Sequence, residues 1–326
     1  MQGDLGAWLD AAAGTDEEFV ERIWRLAVRR SPEPDARGHA LAKLRDGELS
    51  RASLLRQLVS SEEFERVALL DGALSFAAAA RGGPREVSGP ARPRGLRAPA
   101  WSDERALEIP WCLARYDGER RVLDVGYAFA EAAYVAGLVG LGAEELVGVD
   151  LAEAEVPGLR SVVADVRELP FADGRFELIV CISTLEHVGR DNAIYDVEAA
   201  RDERGDEAAL RELHRVLARD GRLLVSVPTG EPEDQGWQVQ RTAEEWIDRF
   251  ERAGFIVFED ELYARGGDGW HTATLAEAGG RRLGEGGPGA GAVLLAELRP
   301  AGIGERARLA LRDLRHRDAP RRSTLA

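Results

Sequence analysis

Residues 120–142 read RRVLDVGYAFAEAAYVAGLVGLG, and this stretch decides the fold. An apolar run over Arg121–Val125 closes on Asp124-Val125-Gly126, a turn follows, and apolar residues then recur at helical spacing over Glu131–Leu141. A strand that is apolar on successive residues is buried on both faces, as in a parallel sheet covered by crossover helices. The same alternation runs onward from here. Strands are expected at Glu145–Asp150, Ser161–Ala164, Phe176–Ile182, Arg222–Val227, Phe255–Leu262 and Ala292–Leu298, with helices over Glu207–Ala218 and Glu244–Ala253. A Thr242…Glu245 capping box opens the last helix. The final strand, AVLLAEL, follows a long Gly-rich segment and could enter antiparallel at an edge. The reading is an α/β fold with a mostly parallel, seven-stranded sheet and a small N-terminal all-α part.

In an open α/β sheet a ligand lies at the carboxyl ends of the strands, so Asp124 and Gly126 sit at the mouth of the crevice. Asp150 ends the next strand at the distance from the glycine turn where an acidic side chain reaches ribose hydroxyls. Asp165 ends a third. Each of these taken singly reads as a cap or turn former, but three at successive strand ends form a polar row along one edge of the sheet.

LDVG, GVDL, ADVRELPF, FELIVCISTLEHV and LRELHRVLARDGRLLVSVP follow one another in that order. On these motifs residues 101–265 resemble a class I S-adenosylmethionine-dependent methyltransferase of the type 11 kind, which is Rossmann-like. The resemblance implies S-adenosylmethionine as cofactor, Gly126 against its methionine, Asp150 on the ribose hydroxyls, and Asp165 with Val166 at the adenine. Asp124, Tyr127, Leu151 and Ser183 complete the cofactor set that it implies. Two departures stand out. Gly126 is followed by Ala128 and Ala130 where the family alternates glycines, and alanine does not readily take a positive φ. LAEAEVPGLRSVVA, between Asp150 and Asp165, is too short for a crossover helix, so an irregular loop is expected there.

Methyl transfer from a sulfonium needs positioning above all, and a base mainly where the acceptor is a hydroxyl or another protonated group. Glu186 and His187, just past the fourth strand, face the transferred methyl; His187 takes a proton, or the pair serves positioning and cofactor contact. His214 falls on a helix as an exposed or capping residue. His271, beside Trp270 in RGGDGWHTA, lies on a segment that could close over the site, and Trp237 could line an acceptor pocket; packing is the alternative for both tryptophans. VGRDNAIYDVEAARDERGDEAAL, after the fourth strand, is long for a connection and reads as a lid or a solvated excursion. If it is a lid, Asp191, Asn192 and Tyr195 are its acceptor-recognition candidates.

Upstream, Thr15 with Glu18 makes a capping box, and Phe19, Ile23, Leu26 and Ala27 recur at helical spacing; helices through Leu41 and Leu44 and through Leu54, Leu55, Leu58 and Phe64 follow. Residues 16–67 resemble a small bacterial domain of unknown function, related to phycobilisome linker domains and often found with cell-surface or glycan-synthesis proteins, although AVRR replaces its usual Leu-Gly-Arg. The expected division is a helical module over 1–80, a Gly-, Pro- and Arg-rich linker over 81–100, the methyltransferase-like domain over 101–300 and an Arg-rich tail over 301–326. The helical module is a candidate for binding a protein partner.

The chain has 326 residues, is 44% hydrophobic and carries a formal charge of -15, with a pI near 5.0. That field repels a polyanion, so no nucleic-acid partner is expected. Two cysteines, Cys112 and Cys181, both in buried-looking segments, fit a reducing compartment; no metal spacing, signal peptide or membrane-length apolar run is present, and a cytoplasmic location is expected. A small molecule or glycan precursor is the expected acceptor. Two rivals are a non-catalytic scaffold on the same fold and an NAD-dependent oxidoreductase, whose Gly-x-Gly-x-x-Gly turn is absent.

Overall fold

The computed structural model describes residues 14–28, 31–61, 63–64, 67–68, 94–197, 199–287 and 289–302. The expectations for 81–93 and 303–326 lie outside them. Near the N-terminus, α1 (Asp16–Val28), α2 (Pro34–Arg45) and α3 (Arg51–Val59) share a core of Phe19, Val20, Ile23, Leu54 and Leu58. Thr15 and Glu18 form the reciprocal capping box, the Glu18 N–H donating to Oγ1 of Thr15 and the Thr15 N–H to Oε2 of Glu18.

The rest is one sheet between two helical layers. In chain order come α4 (Arg105–Leu113), β1 (Arg121–Val125), α5 (Ala132–Gly140), β2 (Glu145–Asp150), β3 (Arg160–Val163), β4 (Phe176–Ile182), α6 (Gly205–Val216), β5 (Leu217–Pro228), a short hairpin of β6 (Glu233–Asp234) and β7 (Val239–Gln240), α7 (Ala243–Arg252), β8 (Phe255–Gly266), β9 (Gly269–Thr272), α8 (Leu275–Gly279) and β10 (Ala292–Pro300). The strand order is β3-β2-β1-β4-β5-β10-β8-β9. β1 to β5 pair in parallel, whereas β10 pairs antiparallel with both β5 and β8, and β9 antiparallel with β8.

Two expectations are corrected here. The sheet has eight strands, not seven, because the chain beyond Leu262 turns back at Gly266–Gly269 into β9. β10 is not an edge strand either. Its first seven residues are all buried, and the β8–β9 hairpin continues the sheet beyond it. The same hairpin removes the proposed closing segment: Trp270 is 1% exposed, with its indole N–H on the Ser102 carbonyl, and His271 pairs with Glu277. Residues 94–100 are not a free linker but dock here, the Trp270 N–H donating to the Ala98 carbonyl and the Leu96 N–H to the Tyr263 hydroxyl.

Alternate residues of each central strand feed opposite cores. Val122, Leu178, Val180 and Leu224 meet Leu107 and Trp111 of α4 and Tyr134 and Leu138 of α5. Leu123, Val125, Ile179 and Val225 meet Leu210 and Leu213 of α6 and Trp246 and Phe250 of α7. Cys112 and Cys181 are buried and unpaired, one in each core. At α7 the Thr242 Oγ1 accepts the Glu245 N–H while the Glu245 carboxylate takes the Thr242 N–H, which fixes the first turn under Trp246. Thr242→Ala should lower the unfolding free energy by about 1 kcal/mol, read as a shifted urea midpoint at unchanged m-value.

Candidate functional site

Strand order reverses between β1 and β4, since β2 and β3 lie to one side and β5 to the other. The crevice expected at such a switch point is present. It is an open cleft of about 1140 Å³ lined by Gly126, Asp150, Leu151, Asp165, Val166 and Ser183 among others.

Gly126 ends β1 at φ 94, and a Cβ there would overlap the Thr184 side chain, so only glycine fits. The turn after it is a single 3-10 turn, Tyr127–Phe129, in which neither Ala128 nor Ala130 has a positive φ. The alanine substitutions therefore cost the turn nothing. Ala128 also contributes, since its N–H donates to Oδ2 of Asp150 at 3.0 Å while the Leu151 N–H donates to Oδ1 at 2.7 Å. Two backbone donors fix the carboxylate at the end of β2, and partial burial raises its pKa. Asp165 is gripped by its neighbour Arg167, whose Nε and Nη2 reach its two oxygens at 2.9 and 2.6 Å. Burial works to raise the Asp165 pKa, but these bonds outweigh it and hold the group below its usual range.

Two members of the expected cofactor set stand elsewhere. Tyr127 is 1% exposed and does not line the cleft. Its ring fills the space over Gly148, where a Cβ would sit 2.6 Å from Tyr127 Cδ1, and its hydroxyl bonds the Ala154 carbonyl, the Ala154 N–H and Ser161. Tyr127 thus pins the irregular 151–159 loop that stands where a crossover helix would be. Asp124 is buried behind the cleft wall. Its Oδ2 accepts the Tyr134 hydroxyl at 2.5 Å, its Oδ1 has no partner among the described residues, and burial pushes it up to about 7. Tyr134 itself lines the cleft.

Past β4 the chain makes a costly turn. Ser183 adopts φ 42, a left-handed conformation of the kind that costs a serine roughly 1–3 kcal/mol. Its N–H donates to Ser226 Oγ at 3.0 Å and its hydroxyl to Glu108 Oε1 at 2.8 Å. Leu185–His187 then form one 3-10 turn. His187 donates from Nδ1 to the Trp237 carbonyl at 3.0 Å, because a carbonyl can only accept, which leaves the Nε2 lone pair free of that bond. Its ring stacks on Trp237 at 5.2 Å and stands edge-on to Tyr195 at 5.8 Å. Burial pulls it down to about 4, so the ring is neutral at physiological pH. Glu186 is 3% exposed; Oε1 lies 3.9 Å from His187 Nε2, and Oε2 has no partner among the described residues. Burial pushes it up to about 8.

These two residues border a second chamber of about 790 Å³, which also takes in Glu104, Gln235, Trp237 and Gln238 and shares Arg105, His187 and Tyr195 with the cleft. Arg105 ion-pairs with the buried Glu108 at 2.5 Å. Sequence reading missed Glu104, Arg105 and Glu108 because Pro110 obscured α4; the signal was three charges at positions 1, 2 and 5 of a segment that is otherwise apolar from Ala106 to Ala114. Of the long insertion, Asn192 and Tyr195 line the cleft, whereas Asp191 turns to the Ala193 N–H and to Arg201. His214 packs edge-on against Phe255 at 5.1 Å, away from both chambers.

Residues 123–225 match the family model of the methyltransferase domain. The match runs from β1 through most of β5, the part of the sheet that forms the cleft. The cleft suits S-adenosylmethionine: a glycine cradle at the end of β1, a fixed carboxylate at the end of β2 and a polar floor past β4. An uncharacterised protein of Methanocaldococcus jannaschii is 34% identical over 68 residues, 21% of this chain, and the match spans only 23% of that protein's length. Among solved structures, a Burkholderia thailandensis 1,6-didemethyltoxoflavin-N1-methyltransferase with bound S-adenosylhomocysteine is 15% identical, covering 81% of this chain and 87% of that one at a TM-score of 0.40. The [4+2]-cyclase SpnF is 16% identical, covering 74% and 97% at 0.44.

Among the described residues, no group of three or more His, Cys, Asp or Glu could hold a metal ion, and no helix is long and apolar enough to cross a membrane.

Asp150→Ala should weaken S-adenosylhomocysteine binding by about tenfold to a hundredfold, the worth of hydrogen bonds to a charged group, as read by calorimetry. A second expectation concerns pH. Glu186, Glu104 and Asp124, at about 8, 7 and 7, hold protons in the folded chain that the unfolded chain has lost. Stability from these groups is therefore lost as pH rises through their folded values. His187 acts in the opposite sense, but only below its ordinary 6.5. The urea midpoint should fall between about pH 6.5 and 8, and Glu186→Gln should flatten that fall.

Proposed function

We propose that the chain transfers a methyl group from S-adenosylmethionine to a small acceptor held in the second chamber. The observation that supports this best is the common wall: the cleft at the strand ends and the second chamber meet at Arg105, His187 and Tyr195. A methyl donor on one side and an acceptor on the other would be brought together there, and such positioning supplies most of what an in-line displacement needs.

Bound in the cleft, the cofactor supplies an electrophilic sulfonium methyl. Gly126 lets it approach the backbone, Asp150 receives its ribose hydroxyls, and Val166 with Asp165 borders its adenine. Leu151 and Ser183 add contacts along the floor. Of the two residues past β4, Glu186 is the proton acceptor, because a base works best when its pKa lies near the working pH and about 8 is nearer than the 4 of His187. His187 is a positioning residue, its ring locked between Trp237 and Tyr195.

The helical segment, on the resemblance of residues 16–67, serves as a protein-binding module, which keeps a glycan precursor among the acceptors, and the setting is the cytoplasm.

Calorimetric titration of the full chain with S-adenosylmethionine, S-adenosylhomocysteine and NAD tests the reading. Saturable binding of the first two without NAD is expected. Binding of none points to a scaffold, and binding of NAD alone overturns the cofactor.

A further inference from the structure

The second chamber carries more negative charge than its own residues neutralise. Glu104, Glu108 and Glu186 gather around Arg105, and Glu104 also lies in the field of Arg265. Glu108 takes the near contact, with Arg105 at 2.5 Å and the Ser183 hydroxyl on its other oxygen. Glu104 stands 4.0 Å from Arg105 and accepts the Ala290 N–H on Oε2. Glu186 is left with an oxygen, Oε2, to which no group among the described residues donates, although the residue is 97% buried and lines the chamber. A backbone N–H and the field of Arg105 do not offset the burial of this carboxylate, and such a group neutralises itself by holding a proton. The stored protons on Glu104 and Glu186 agree with that.

A neutral hydroxyl would give Glu186 a hydrogen bond and leave the charge imbalance in place. An ammonium group would supply both the donor and the missing positive charge. The aromatic faces of Trp237 and Tyr195, which flank His187 in the same chamber, favour a cation as well.

We infer that the acceptor is a cationic amine, held with its nitrogen on the unpartnered Oε2 of Glu186 and within the field of Glu104. This rests on the methyltransferase reading above and narrows its acceptor. The ammonium binds as the proton held by Glu186 leaves to solvent, and it then gives one of its own protons to the carboxylate so formed. The freed nitrogen lone pair then forms the N–C bond to the methyl group as the S–C bond breaks, its electron pair staying on sulfur, and the methylated product leaves as an ammonium. Charge is conserved throughout: an ammonium, a carboxylate and a sulfonium become a methylated ammonium, a carboxylic acid and a neutral thioether.

The test compares phenethylamine with 2-phenylethanol and phenylacetate, by calorimetry on the full chain saturated with S-adenosylhomocysteine. The amine should bind at least about tenfold more tightly than the alcohol, and phenylacetate should not bind. Glu186→Gln, and separately Glu104→Gln, should each cut the amine preference to about twofold or less while leaving the S-adenosylhomocysteine affinity intact, which also certifies the fold of the variant. Equal or tighter binding of the alcohol or the carboxylate, no binding of the amine up to about 10 mM, or an amine preference untouched by both substitutions overturns the inference. Should S-adenosylhomocysteine itself not bind, the methyltransferase reading fails, and the same three ligands titrated into the unloaded chain still decide the chamber.

Discussion

β1 and β4 lie side by side in parallel, Val122 against Leu178 and Asp124 against Val180, and each then sends the chain the opposite way across the sheet. The gap that opens beyond their carboxyl ends is the cleft. Gly126 and Ser183 are the next residues of the two strands, and both are left-handed, one at no cost and one against the preference of its side chain. Neighbouring strands add to the same rim, with Asp150 at the end of β2 and Asp165 just beyond β3. The cleft therefore depends on a backbone constraint, two-sided burial of parallel strands, before it depends on any polar side chain.

Electrostatics explain why α4 matters as much as the strands. It brings Glu104, Arg105 and Glu108 to the point where β4 ends, and Glu108 holds Ser183 through its hydroxyl. Besides covering one face of the sheet, this helix fixes the turn that carries Glu186 and His187. The same helix loads the region with carboxylates in excess of its one arginine. Such an arrangement tolerates burial because the surplus acids can stay protonated, and protonated acids in reach of a ligand are groups whose charge the ligand can recruit.

The sheet was legible because its strands are short, apolar and bounded by glycine and acidic residues, so the limits of β1, β2 and β4 agree with the sequence reading to the residue. The row Asp124, Asp150 and Asp165 was legible for the same reason, since strand ends are visible in a linear pattern. Which way a side chain turns at such an end is not. Tyr127 and Asp124 occupy the expected positions and face the interior, one filling the space left by Gly148 and the other bonded to Tyr134. β9 was hidden because four residues beginning with glycine carry too little pattern, and α4 because a proline interrupts its period.

The second chamber was illegible for a deeper reason. Its walls come from α4, the turn after β4, the end of β5, the loop between β6 and β7, and the Gly-rich stretch before β10, segments separated by up to almost the whole length of the domain. No local spacing joins Glu104 to Glu186, and neither residue alone is unusual. What makes them a pair is that both lie in the field of Arg105, which is already committed to a third carboxylate. The imbalance exists only after folding, and it is the folded imbalance, not any motif, that selects the charge of what can enter. Specificity of this kind is set by what the pocket lacks. An enzyme of this fold can therefore keep one cofactor cleft while a few substitutions on α4 or after β4 change the acceptors it admits.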